Sequence, residues 1–273
     1  HMDSIGLVAT HIDEDGFIHV GAVGGVAPLR VLHTPVRFQN GTCGVVCAPA
    51  DVELAKLKAA DLLIDIGAAS RDEAARLVQV GDVAVYNTKT ADICGRITSP
   101  YTDNRVSCLV LLMAMAKLGQ TENDLYFVFS VQEEVGIRGA KTATWGVDPD
   151  YGIAVDVTAA DDQPGSKHLV SSKLGGGAAV KVMDGSVICH PAVVERLMKL
   201  AEEKGIKAQR DVIRHGGTDA GAIHLTRGGV YTGGISIPCR YVHSPMEMVD
   251  KNDIKACADL VAAFAEAKLE KEC

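Results

Sequence analysis

The chain has 273 residues, 47% of them hydrophobic and 23% charged, with a net charge of −8. That composition suits a folded globular protein, long enough for one large domain or two smaller ones. The acidic balance argues against a nucleic-acid partner, no apolar run reaches the ~18 residues of a membrane span, and no basic-then-apolar leader opens the sequence, so a cytoplasmic location is expected.

The first residues are His1-Met2-Asp3. A His-x-Asp pair suits a metal site, because one ring nitrogen can ligate while a carboxylate orients the other. His-Met is equally a common cloning remnant. From Gly6 to about Thr98 the texture is β-rich with frequent turns. Strands are expected at residues 6–11, 17–23, 31–34, 42–48 and 83–86, in a small barrel or sandwich. Asp13-Glu14-Asp15-Gly16 and Asn40-Gly41 are turn signals. Ser70 with Glu73 forms a capping box that opens a helix from Arg71 to about Val80. His11, His19 and His33 have no ligand spacing.

After Thr98 helices alternate with apolar strands. Val106 to Leu118 is expected as a buried helix with Asp103 near its N-cap, and a cap alone would explain that acid. Leu125 to Val131 is a continuous apolar run expected as a strand buried on both faces. It stops at Glu133 and Glu134, with Gly136 just after. Neighbouring side chains on a strand point to opposite faces, so two adjacent acids serve one site only where the strand has broken into a loop. They could also be two solvated acids. Tyr151 to Thr158 is a second buried strand and carries Asp156. An acid inside an apolar run needs a partner. Leu174-Gly175-Gly176-Gly177 lets backbone approach closely and matches no phosphate loop. A helix is expected from Pro191 to Lys204, a strand from Gln209 to Ile213, a short helix ending near Leu225, a strand from Val230 to Pro238 and a closing helix from about Asn252 to Lys271. The alternation implies a mainly parallel sheet flanked by helices. The eight cysteines are scattered without a CxxC pair, and reduced, mostly packed thiols are expected.

His1, Asp103, Glu133, Glu134, Asp156 and His243 are the candidates at strand ends or in loops. Imidazole and carboxylate together suit zinc, cobalt or manganese rather than a thiolate site. Five ligands and a spare carboxylate are about what two metals sharing one Asp would need, although spacing alone does not select that set.

The segments HMDSIGL, IDEDGFIHV, LLIDIGA, GDVAVYNT, TDNRVSC, VQEEVGIRGA, AVDVT, GGTDAGAIHLT and ISIPCRYVHSP run in order from residue 1 almost to the C-terminus. In this ordered set the chain resembles the tetrahedral (TET) aminopeptidases, metallopeptidase family forty-two, also called glutamyl aminopeptidase or, in older usage, endoglucanase or cellulase M. The resemblance implies a zinc-peptidase-like α/β catalytic domain of residues 1–5 and 98–273. Residues 6–97 would be an inserted small β-barrel-like domain for dimerisation and higher assembly. It implies two divalent ions, zinc or cobalt with manganese as a further option. His1, Asp103 and Asp156 would hold one ion; Asp103, Glu134 and His243 would hold the other, with Asp103 bridging. Glu133 would be the general base and Asp3 would orient His1. Short peptides would be the substrates, cut one residue at a time from the N-terminus, and the assembly would be a dodecamer built from dimers.

Family members carry roughly one more helix and strand before the HMD motif, which favours an alternative: a non-catalytic fragment or scaffold with an incomplete metal site. A glycosidase would need two carboxyls flanking the bond, about 5–9.5 Å apart, which adjacent Glu133 and Glu134 beside metal ligands fit poorly.

Overall fold

The computed structural model describes residues 1–167 and 170–269. Six strands near the start close a barrel: β1 (Gly6–Ile12), β2 (Ile18–Val23), β3 (Pro35–Phe38), β4 (Cys43–Cys47), β5 (Leu63–Asp65) and β6 (Val83–Tyr86). Their order around it is β1-β2-β5-β4-β3-β6. The turn from β1 to β2 is the expected acidic one. The Asp13 carboxylate accepts the N–H groups of Asp15 and Phe17 at 3.1 and 2.9 Å, and Gly16 supplies a positive φ of 89°. Leu7, Ile18, Val36, Phe38, Val46 and Ile64 fill the interior.

Two expectations in this region are corrected. Residues 31–34 are not a strand. Pro28 opens a single helical turn, α1 (Pro28–Val31), because its fixed φ suits the first helical position, and strand structure resumes only at β3. The helix capped by Ser70, α2 (Arg71–Ala75), ends five residues before Val80. Only half of the expected capping box forms: Ser70 Oγ accepts the Glu73 N–H at 3.4 Å, but the Glu73 carboxylate accepts the N–H of Ala69, one residue before the cap, at 3.0 Å. Val78 turns inward to the barrel core instead of continuing the helix.

Strands β7 (Ala91–Ile93) and β8 (Arg96–Ser99) belong to a larger seven-stranded sheet. Its other members are β9 (Tyr151–Ala159), β10 (Ala178–Met183), β11 (Ala208–Val212), β12 (Tyr231–Arg240) and β13 (Glu247–Asp250). The sheet is mixed. β9 runs parallel to β12 and β10 parallel to β11, while β10, β13, β8 and β7 are joined by antiparallel pairings. The helices are α3 (Thr102–Met115), α4 (Arg138–Val147), α5 (Pro191–Glu203), α6 (Ala220–Ile223) and α7 (Lys251–Glu266). Successive strand residues face opposite sides, which sorts them. Gly233 of β12 lies against Val193 of α5, whereas Gly152, registered with Thr232, lies against Ile223 of α6. The last helix does not extend as expected towards Lys271: it stops at Glu266, Ala267 is already extended, and residues 270–271 lie outside the described residues. The core holds Val180, Leu197, Ile235, Ile237, Cys257 and Leu260, all fully buried.

The largest departure is Leu125 to Val131. This stretch joins no ladder among the described residues, and Tyr126, Val128 and Val131 are exposed. A cavity of about 630 Å³ separates it from β9. Hydrophobicity predicts burial but supplies no hydrogen-bonding neighbour. Its end is nevertheless anchored: Ser130 C=O accepts the Met2 N–H at 2.8 Å, and Val131 C=O accepts the Gly139 N–H at 2.9 Å.

Candidate metal centre

All six candidate residues meet in one place. Two sets of side chains that could hold an ion occur among the described residues, His1 with Asp103 and Asp156, and Asp103 with Glu134 and His243. Asp103 belongs to both, and its two oxygens point different ways. Oδ1 lies 3.3 Å from His1 Nε2, and Oδ2 lies 3.4 Å from His243 Nε2. Asp156 Oδ1 is 3.8 Å from His1 Nε2, and Glu134 Oε2 is 3.2 Å from His243 Nε2. Glu133 Oε2 stands 3.7 Å from His1 Nε2 and belongs to neither set.

Separate parts of the fold deliver these groups. Asp103 sits at the start of α3, where its own φ/ψ are non-helical, and the Asp103–Asn104 peptide is cis. Asp156 lies within β9, registered with Ser236 of β12. Glu133 and Glu134 occupy the loop before α4. His243 lies in the turn between β12 and β13 with φ of 61°, a left-handed conformation that costs a non-glycine residue about 1 kcal/mol.

The surroundings set the histidine tautomers. A carbonyl can only accept, so His1 Nδ1 donates to the Asp3 C=O at 3.1 Å and His243 Nδ1 donates to the Gly25 C=O at 3.1 Å. Both Nε2 atoms are thereby turned towards the acids. Gly25 follows β2, so the second histidine is held by a loop of the barrel. The Asp3 carboxylate is 3.4 Å from His1 Nδ1 and accepts the N–H groups of Glu133 and Glu134 at 3.1 and 3.3 Å. It therefore holds the Glu133–Glu134 loop as well as facing the imidazole.

Sequence reasoning missed three participants. Glu247 of β13 is buried and accepts the Asp103 and His243 N–H groups. Asp219 accepts from Ser130 Oγ at 2.5 Å beside the site. Gly25 is described above. Only Glu247 had a local signal, as an acid on the inward side of an alternating strand.

The cluster fits cations. Ligands about 2.0–2.2 Å from a tetrahedral ion stand roughly 3.3–3.6 Å apart, close to the separations just given. Asp103 Oδ1 and Glu134 Oε1 are buried with no hydrogen-bond partner. Burial alone would lower the pKa of His1, but the Asp103 carboxylate and the charges of Asp156 and Glu133 outweigh it and push it up to about 11. His243 is likewise pushed up to about 10 against its burial, by Asp103 and Glu134. Burial and then Asp156 push Glu133 up to about 9, and burial and then Asp103 raise Asp156 well above its usual range. So much unbalanced negative charge is what a cation would neutralise.

An α/β sheet carrying such a cluster, with a barrel beside it, is an arrangement suited to metal-dependent hydrolysis. The M42 glutamyl aminopeptidase family profile matches residues 1–260, and the chain belongs to that family. The lysyl aminopeptidase of Pyrococcus furiosus is 36% identical over 281 residues, covering 97% of this chain and 80% of that protein. The solved aminopeptidase APDkam598 of the archaeon Desulfurococcus kamchatkensis is 42% identical with a TM-score of 0.92, covering 97% of this chain and 77% of that one. The Pyrococcus horikoshii TET1 peptidase, which can assemble into a tetrahedron or a large octahedral shell, is 31% identical with a TM-score of 0.86, covering 97% and 81%. The chain is a metal-dependent aminopeptidase of the TET type. No helix among the described residues is long and apolar enough to cross a membrane.

Proposed function

We propose that the centre works with two divalent ions, one held by His1, Asp103 and Asp156, the other by Asp103, Glu134 and His243, with Asp103 shared. The observation that carries this is the split of the Asp103 oxygens, each within 3.4 Å of a different imidazole. When bound, the ions supply Lewis acidity that lowers the pKa of water and polarises a peptide carbonyl. Glu133 is free of both ligand sets and lies at their edge. Its carboxylate, 3.7 Å from His1 Nε2 and outside both sets, is placed to take a proton from the attacking water and hand it to the leaving amine, a role worth roughly 10²–10⁴ in rate. Asp3 holds the Glu133–Glu134 loop and faces His1, so base and ligand stay in one frame. Substrates are short peptides with a free N-terminus. Zinc and cobalt suit the mixed imidazole–carboxylate donors, and manganese is the next choice.

The barrel is the self-association unit in this reading. Val45 of β4 and Val83 and Val85 of β6, each 37–47% exposed, lie on the barrel's outside to either side of β3, whose Pro35 and Arg37 are also exposed. Dimers formed there would build a dodecamer. The free cysteines among the described residues support a reducing, cytoplasmic setting.

The experiment is metal content per chain after reconstitution with zinc or cobalt, beside release from a panel of aminoacyl-p-nitroanilides. About two ions and chelator-sensitive release are expected. Fewer than two ions without release would favour the scaffold alternative.

A further inference from the structure

Building on the two-ion reading, we infer that Glu247 is a positioning residue of the metal centre, one carboxylate that locks the backbones of Asp103 and His243 into a common frame. Burial alternates along β13, and Glu247 and Val249 are its inward residues. At 2% exposure a lone carboxylate there would cost several kcal/mol. Its oxygens are instead each engaged by one backbone donor. Oε2 accepts the Asp103 N–H at 2.7 Å, and Oε1 accepts the His243 N–H at 2.8 Å. These are lengths of charge-assisted bonds.

Both donors need this partner. Asp103 heads α3 with non-helical φ/ψ, so its N–H is outside the helix ladder. His243 sits at φ of 61°, a conformation that persists only when its surroundings fix it. Glu247 itself is in neither ligand set. It acts by holding one residue of each kind, the shared carboxylate and the imidazole opposite it. His1 and Asp156 are held elsewhere, by Asp3 and by the β9–β12 ladder. The half-site of Asp103, Glu134 and His243 therefore depends on Glu247 at two of its three ligands, and the other half-site at only one.

The test compares wild-type protein with Glu247→Gln and Glu247→Ala. The Gln side chain keeps the shape and one acceptor oxygen but turns an N–H towards the second donor. Each protein is stripped with a chelator and titrated with cobalt, following bound metal and visible absorption, and the metal-free melting point is taken by circular dichroism. Wild type should take two ions. Glu247→Gln should bind the first within a few-fold of wild type and the second about 10–100-fold more weakly, with a changed absorption spectrum for that second ion. Glu247→Ala should go further in the same direction, and where it fails to fold Glu247→Gln decides. Wild-type binding of both ions by Glu247→Gln overturns the proposal. Equal weakening of both, in step with lost folded protein, also overturns it and leaves Glu247 a residue of the fold alone. A wild-type chain that takes only one ion removes the two-ion reading itself, a result visible before any variant is compared.

Discussion

A methyl group at Gly25 tests whether the barrel helps to build the metal centre. An ideal Cβ there would lie 2.5 Å from His243 Nδ1 and 2.7 Å from its Cε1. Comfortable contact starts near 3.4 Å, so ring and loop must part by about 0.9 Å. Metal–ligand distances tolerate only about 0.2 Å. A ring displaced that far cannot ligate while Asp103 and Glu134 stay in place. The shift also breaks the bond from Nδ1 to the Gly25 carbonyl, which fixes the tautomer. Loss of such an outer partner alone typically costs 10–100-fold in metal affinity, and the clash puts Gly25→Ala at the upper end. The backbone at Gly25 is not left-handed, so the loss cannot come from strain in the loop itself.

The assay is a chelator-buffered cobalt titration of Gly25→Ala beside Gly21→Ala. Gly21 lies in β2, and its Cβ would meet Thr10 and Val8 at 3.4 and 3.5 Å, which is ordinary contact. Gly21→Ala should bind both ions normally. Gly25→Ala should keep one and hold the second far more weakly. If Gly25→Ala binds both ions with wild-type affinity, the barrel loop does not set the histidine and the reasoning fails.

Glu133→Gln should keep both ions and lose about 10²–10⁴ in kcat; near-normal turnover of an aminoacyl-p-nitroanilide would remove Glu133 as the base. Lys181 and Asp211 form an ion pair at 2.5 Å with both side chains fully buried. Lys181→Met should lower stability by about 3–5 kcal/mol in denaturant unfolding, because it strands a buried charge, and adding Asp211→Leu should recover most of it. Burial raises the Asp162 pKa, but Arg240 at 2.6 Å and the Leu174 N–H at 3.0 Å outweigh it and bring it below the ordinary 3.8. A depressed carboxylate stabilises the fold above its unfolded pKa, and that contribution disappears as pH falls through the lower folded value. Arg240→Gln should therefore cost about 0.5–1 kcal/mol at neutral pH, solvent screening of this partly exposed pair included, with the gap from wild type closing below pH 3.8; a gap independent of pH would refute the pairing.

The site was more legible in the sequence than the sheet was. An acid at the end of an apolar run and another inside one are costly unless they are used, and Glu133, Glu134 and Asp156 do converge. Leu125 to Val131 shows the limit of that logic. Its apolar character was visible, but a ladder needs a neighbour at hydrogen-bonding distance, and the neighbouring β9 lies across a cavity. The acids still arrive because the segment's end is tied to Met2 and Gly139 through backbone bonds. Contacts such as Gly25 to His243 join residues more than two hundred positions apart. No local pattern encodes them, since a glycine chosen for close approach looks like a glycine chosen for a turn.

The placement of the acids outside the two ligand sets has a common physical logic. Asp3 accepts the N–H groups of Glu133 and Glu134, and Glu247 accepts those of Asp103 and His243. Each carboxylate thus clamps a pair of backbone donors, and together they fix four of the six candidate side chains at the main chain. A backbone clamp is stiffer than a bond to the side chain itself, because it leaves no rotamer between anchor and strand or loop. It also leaves the side-chain oxygens of Asp103 and Glu134 facing the imidazoles rather than tied to the main chain. The cost is two more acids near a centre already rich in them, and burial and then the Asp103 charge push the Glu247 pKa up to about 8. Cations bound in the middle would offset that repulsion, so the same residues that set the geometry also make the folded chain favour metal.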